Sequence, residues 1–247
     1  MDKLTILFYP DRLDNKKRFS RLYRILKGRS DIVFHNDPSK PFDLHIFWSY
    51  TRHSIVPDKI TLNYPNVINR GCWNIGKEKV NRIFDDLFID PLKHKGVCVE
   101  KLDQQGKHKF HKIIKCPKHP KPGYVYQRLV NSQENGLFVR YRVYWMDKIT
   151  HVRKIWQTDP FETKIVKSEM IAVSKLFNPK QKADFARKCQ AFGVNLAEMD
   201  VLWNGKPIVI DVNNIVGGQT VPGLSGTQSS LEVDNAIISY LYGKMGK

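Results

Sequence analysis

One segment constrains the fold of this chain more than any other: Glu198-Met-Asp-Val-Leu-Trp-Asn-Gly-Lys-Pro-Ile-Val-Ile-Asp-Val-Asn213. It reads as two strands joined by a tight turn. Asn204-Gly205 favours a two-residue hairpin, because both central positions can take positive φ. Residues two apart in a strand point the same way, so Asp211 and Asn213 share a face. Pairing around Asn204-Gly205 puts Asp200 roughly one pair beyond the rung that faces Asp211. Three hard oxygen ligands then converge, a set that suits magnesium bound together with a nucleotide's phosphates. The apolar run Ile208-Val-Ile210 delivers Asp211 at its end. A carboxylate at a buried strand end needs a cation or several donors to offset its desolvation.

The rest of the chain supplies a setting for that hairpin. Leu4–Tyr9 is a strand candidate, and Arg18–Leu26 carries a helical apolar face closed by Gly28. Ile32–His35, Leu44–Trp48 and Ile60–Tyr64 read as further short strands. Together they form a small α/β unit that packs parallel strands against helices, without a glycine-rich dinucleotide fingerprint. Asn74–Phe88 reads as a helix. Gly96–Leu102, Phe110–Ile114, Tyr124–Val130, Phe138–Met146 and Ile149–Ile155 read as strands. Residues 156–177 read as irregular. Asn178 is placed to cap a helix over Pro179–Phe192, with Gly193 just past its end. A glycine-rich loop covers 215–226, and Leu231–Leu241 closes the chain as a helix.

Composition narrows the partners. The chain of 247 residues can bury a sizeable core, and 41% hydrophobic content excludes a disordered chain. No apolar run approaches a membrane span. The N-terminus lacks the features of a signal peptide, so the expected location is cytoplasmic. The four cysteines have no metal-finger spacing and are expected to be reduced and buried. A net charge of +17 implies an anionic partner. Residues 93–121 concentrate nine Lys and four His against Glu100 and Asp103. That segment suits a lid over a triphosphate, a nucleic-acid surface, or a solvated basic loop.

Taken in order, these pieces resemble the ATP-grasp superfamily over about residues 70–225. The hairpin with Asp200, Asp211 and Asn213, followed by a glycine-rich loop, is similar to the segment that holds magnesium there, although Glu is commoner where Asp211 stands. Asn74-Ile-Gly-Lys-Glu-Lys79 resembles a helix start whose lysine contacts nucleotide phosphate, with Lys79 the better match and Lys77 the reserve. Val97-Cys-Val-Glu-Lys101 and the loop 103–109 resemble the strand lysine and the phosphate-covering loop, here with Gly106 as its one glycine. Tyr124-Val-Tyr-Gln127-Arg-Leu129-Val resembles the inter-lobe hinge, with Gln127 and Leu129 at the nucleotide. Phe138-Val-Arg140-Tyr-Arg142 resembles a strand that often reads Asp-x-Arg. Arg142 matches the arginine, and Arg140 stands where an acid is frequent. Arg142 is also placed for a cross-strand ion pair with Glu198 or Asp147. Arg153 on the returning strand suits the phosphates or the substrate.

The resemblance implies an α+β fold, in which two ATP-grasp lobes clamp ATP behind a small α/β pre-domain. The expected divisions are 1–72 for the pre-domain and 73–247 for the ATP-grasp domain, its lobes meeting near residue 130. It implies ATP and Mg2+ as cofactors, with Arg142 and Arg153 catalytic. The activity implied is a ligase that activates a carboxylate as an acyl phosphate for attack by an amine or other nucleophile. A kinase acting on a hydroxyl and a non-catalytic binder of nucleic acid or acidic polymer are the alternatives. The expected acceptor is an anionic small molecule or glycan precursor.

Overall fold

The computed structural model describes residues 3–10, 21–48, 63–84, 87–103, 111–161, 165–214 and 228–246. The loop 104–110, the glycine-rich loop 215–226 and the first residues of the Arg18–Leu26 and Ile60–Tyr64 segments lie outside them. Three sheets organise the described residues. The first is parallel, in the order β2-β1-β3-β4, from Leu4–Pro10 (β1), Ile32–His35 (β2), Leu44–Trp48 (β3) and Val67–Ile68 (β4). Burial on both faces suits the apolar runs of β1 and β3. The helix Arg21–Lys27 (α1) follows β1.

The second sheet runs β6-β5-β7, from Gly96–Leu102 (β5), Lys112–Cys116 (β6) and Tyr124–Arg128 (β7). The third is antiparallel, in the order β11-β10-β9-β12-β13, with the short Gln133–Glu134 (β8) beside β9. Its strands are Leu137–Met146 (β9), Ile149–Gln157 (β10), Ile165–Ile171 (β11), Leu196–Trp203 (β12) and Pro207–Asn213 (β13).

The region 156–177 is therefore not irregular. It holds β11, paired with β10 from Val152 to Gln157, and a short helix Val173–Leu176 (α3). β11 is an edge strand with several exposed positions, so it lacks the apolar run by which the buried strands are read. The helix opening the middle of the chain is also shorter than its pattern, Lys77–Phe84 (α2).

One face of the third sheet is apolar. Val139, Val143, Trp145, Val152, Met199 and Val212 pack there against Phe84 of α2 and against Phe185, Cys189 and Phe192 of Pro179–Phe192 (α4). The capping box of Asn178 and Gln181 and the left-handed Gly193 define the ends of α4 as expected. Gly193 lies so close to Gly71 that an added Cβ would sit 2.5 Å from the Gly71 carbonyl carbon. The opposite face divides in two. At one end Tyr144, Met146 and Leu196 join the core of the parallel sheet and the helix Gln228–Gly243 (α5), through Val233, Ile237 and Leu241. Arg21 fastens this junction by donating to the Ser230 carbonyl and hydroxyl and pairing with Asp234. At the other end the face is charged.

All four cysteines are free and buried. Burial pushes the Cys72 thiol up to about 12, so it behaves as a small apolar group. Among the described residues no helix is long and apolar enough to cross a membrane.

Candidate nucleotide and phosphate site

The hairpin differs from a two-residue turn, and the difference assembles the acids. Of Asn204 and Gly205 only the glycine takes positive φ, at 71°, whereas the two-residue type I′ turn needs both. The loop therefore has three residues, with Trp203 opposite Pro207. A bulge follows: Val201 faces Val209, but Asp200 faces Asp211, so Ile210 is the extra residue. Asp200 and Asp211 are thus direct cross-strand partners, and Glu198 faces Asn213 on the next rung.

The same face continues across the sheet. Asp200 pairs with Arg142 on β9, and Arg142 with Arg153 on β10. Alternation brings Arg140 to this face as well. Arg140 Nη1 donates to Asp200 Oδ2 at 2.9 Å, and Arg142 Nε donates to Asp200 Oδ1 at 3.1 Å. Arg142 Nε also lies 2.8 Å from Glu198 Oε1. The expected pair of Arg142 with Glu198 therefore forms. Asp147 instead meets Lys244, Asn195 and Tyr240. Burial pushes the Glu198 carboxyl up to about 7, opposed by Arg142 and reinforced by Asp200. Its Oε2 has no hydrogen-bond partner among the described residues, and neither have Arg140 Nε and Ser168 Oγ. Ser168, Ile155 and Arg140 form one row of this face.

The three-stranded sheet supplies the facing wall. Val97, Val99 and Lys101 alternate onto one side of β5, with Ile113 and Gln127 opposite Val99. Val97 and Ile113 are exposed, Lys101 and Gln127 are buried, and Gln127 Nε2 lacks a described partner. Leu129 follows β7 and is half-buried. The other side of β5 is locked by Glu100, which accepts from Lys121 and from the Tyr126 hydroxyl, both at 3.0 Å. Lys101 therefore projects from a braced strand.

Lys101 lies within electrostatic reach of the acids of the hairpin. Burial pushes its ammonium down to about 8, Asp211 and Asp200 pull it back up, and Lys77 adds to the downward push. Lys77 arrives because Asp103, two residues past Lys101, accepts the Lys77 backbone N–H at 3.0 Å at the start of α2. Lys79 points elsewhere. Its Nζ donates to the Phe192 carbonyl at 2.9 Å and lies 4.3 Å from the Phe192 ring centre. Of the two lysines of this helix start, the reserve Lys77 is the one beside Lys101. A lysine one turn along a helix can snorkel to a neighbouring helix end, which no local pattern reveals.

The buried ammonium makes a measurable contribution. Lys101 titrates lower in the folded chain than its ordinary 10.5. The cost of holding it charged is therefore complete below about pH 8 and disappears as pH rises from about 8 toward 10.5. Stability of the nucleotide-free protein is expected to rise across that window by about 1–3 kcal/mol more than in a Lys101→Met variant. Urea unfolding at about pH 7.5 and about pH 9.5 measures both, and equal pH slopes would remove this account of Lys101.

Whether these residues fit magnesium follows from the donors. Asp211 and Asn213, two apart on the edge strand β13, offer hard oxygens on the face toward Lys101. Asp200 shares that face, but each of its carboxylate oxygens receives a guanidinium donor. Among the described residues no three His, Cys, Asp or Glu side chains form a group that could hold a metal ion. Asp211 and Asn213 fit a divalent cation, and Asp200 as it stands does not.

No protein-family model and no curated protein matches the chain. Solved structures do. The chain is similar to the ATP-grasp ligase PsnB complexed with minimal precursor, Mg, and ADP, at 15% identity over 97% of this chain and 99% of that one, with a TM-score of 0.58. It is similar to PsnB complexed with precursor peptide PsnA2 and AMPPNP, at 13% identity over 99% of both chains, with a TM-score of 0.58. It is also similar to D-alanine–D-alanine ligase from Bacillus anthracis complexed with ATP, at 16% identity over 99% and 98% of the two chains, with a TM-score of 0.54. At such identities the likeness establishes the architecture alone.

Proposed function

We propose, from the premise that this chain has the ATP-grasp fold, that it is an ATP- and magnesium-dependent ligase. One observation carries the reading. Lys101 of β5 lies within electrostatic reach of Asp211 and Asp200 on the hairpin and of Lys77 at the start of α2, and Gln127 is buried on the same side of its sheet as Lys101. Cationic side chains and oxygen donors meeting between two sheets suit a triphosphate. The exposed side chains of Val97 and Ile113 suit the face of a purine.

In this reading Lys101 and Lys77 take phosphate oxygens, and Gln127 and Leu129 lie at the nucleoside. Asp211 and Asn213 hold magnesium, which supplies neutralisation of β- and γ-phosphate charge. Asp200 orients Arg140 and Arg142. Arg142 and Arg153, held on adjacent strands, stabilise the charge that develops as the phosphoryl group moves. Such transfer depends on positioning and electrostatics more than on covalent help from the protein.

A carboxylate acceptor becomes an acyl phosphate, and an amine or other nucleophile then displaces phosphate. The buried Arg153 and the net charge of +17 favour an anionic acceptor, a small molecule, a glycan precursor or a peptide carboxylate. A kinase is the second reading. Glu198 favours it, because its Oε2 is without a described partner and a hydroxyl acceptor needs a base.

Calorimetry with ATP and Mg2+ tests the nucleotide site. Binding that requires Mg2+ is expected. A folded protein that binds nothing at millimolar nucleotide would leave a basic polymer-binding protein as the better reading. ADP release with carboxylate acceptors, against hydroxyl acceptors, then separates ligase from kinase.

A further inference from the structure

Phosphoryl-transfer sites use either one divalent cation or a pair of them bridged by carboxylates. The arrangement at Asp200 bears on that choice. Both of its oxygens receive guanidinium donors, Oδ2 from Arg140 and Oδ1 from Arg142. A divalent cation on Asp200 would stand against two fixed positive charges. From the juxtaposition of Arg140 and Asp200 we infer that the Arg140 guanidinium takes the place of a second divalent cation, so that the site operates with a single one at Asp211 and Asn213. This rests on the nucleotide reading above.

Two observations support it. Arg140 stands in the middle of the sheet, on the strand between β10 and β12, with its side chain 15% exposed. Its position is therefore set by the sheet and not by a mobile loop. Its Nε is buried without a described partner while Nη1 holds Asp200. A guanidinium that grips a carboxylate on one edge keeps donors for a phosphate oxygen on another, and so bridges anions as a cation does.

The test counts metal ions. Wild-type protein is mixed with equimolar AMPPNP, well above the dissociation constant, and titrated with Mn2+ while free Mn2+ is followed by electron paramagnetic resonance. One tightly bound Mn2+ per chain is expected, and two would overturn the inference. Arg140→Ala is expected to take up a second Mn2+, and Arg140→Lys to retain one. An Arg140→Ala protein that still holds one removes the role of Arg140. Should Arg140→Ala fail to fold, the wild-type count alone decides. If AMPPNP does not bind wild-type protein at all, the nucleotide reading fails first and this inference fails with it.

Discussion

Replacing Asp211 with asparagine is expected to lower turnover by on the order of a thousandfold, a loss comparable to removing a central electrostatic group from an active site. Two effects act together. The substitution removes the charged ligand proposed for magnesium. It also removes the largest upward pull on the Lys101 ammonium, which burial already pushes down to about 8. With that pull gone, a larger fraction of Lys101 is neutral at pH 7 to 8, and phosphate loses a cation as well as a metal. Asparagine preserves the volume and the strand pairing, so thermal unfolding should change little. ADP formation at saturating Mg2+ is the measurement. Activity within tenfold of wild type, in protein of unchanged stability, would show that Asp211 does not serve the reaction.

The second large effect falls on a residue that touches no proposed ligand. Asn69→Ala is expected to cost about 3–5 kcal/mol of stability. The Asn69 side chain is fully buried and makes four hydrogen bonds to backbone. Nδ2 donates to the Leu196 and Asn214 carbonyls, at 2.8 and 2.7 Å, and Oδ1 accepts from the Asn195 and Leu196 amides, at 2.8 and 2.9 Å. Alanine orphans all four backbone groups in a place that water reaches poorly. Asn69 also has φ of 62°, a left-handed conformation that asparagine tolerates better than alanine. The bonds reach the start of β12 and the residue after β13, so Asn69 ties together the two strands that carry Glu198, Asp200, Asp211 and Asn213. Urea denaturation gives the change in midpoint. A shift worth less than about 1 kcal/mol would mean that the segment repacks. Asn69→Gly should recover only the conformational part of the loss.

Much of this arrangement is legible in the sequence because it rests on local rules. The strands β1, β2, β3, β5, β9 and β12 have short-period apolar patterns, and α4 has a capping box and a terminal glycine that need no partner to be read. The strand β11 escaped because its edge position leaves Lys167 and Glu169 facing outward where a buried strand would be apolar. Lys79 looked equivalent to Lys77 because helical spacing says only that two positions lie on neighbouring faces. Phe192 and Asp103, more than twenty residues away in sequence, decide which lysine faces Lys101.

The sequence by itself determined that Asp211 and Asn213 lie on one face of a strand, that Asp200 lies on the paired strand, and that Lys101 and Arg142 alternate onto single faces of theirs. Those relations follow from a period of two, which is a property of each strand alone. The tertiary structure decided the rest. A three-residue loop and a bulge at Ile210 set Asp200 opposite Asp211, a register that depends on φ at Asn204 and on packing along the whole hairpin. The order of strands β10, β9 and β12 put two arginines against one carboxylate. Which charges neutralise one another is a matter of distances of a few ångströms across strands remote in the chain, and Coulomb energy in a buried setting depends steeply on those distances.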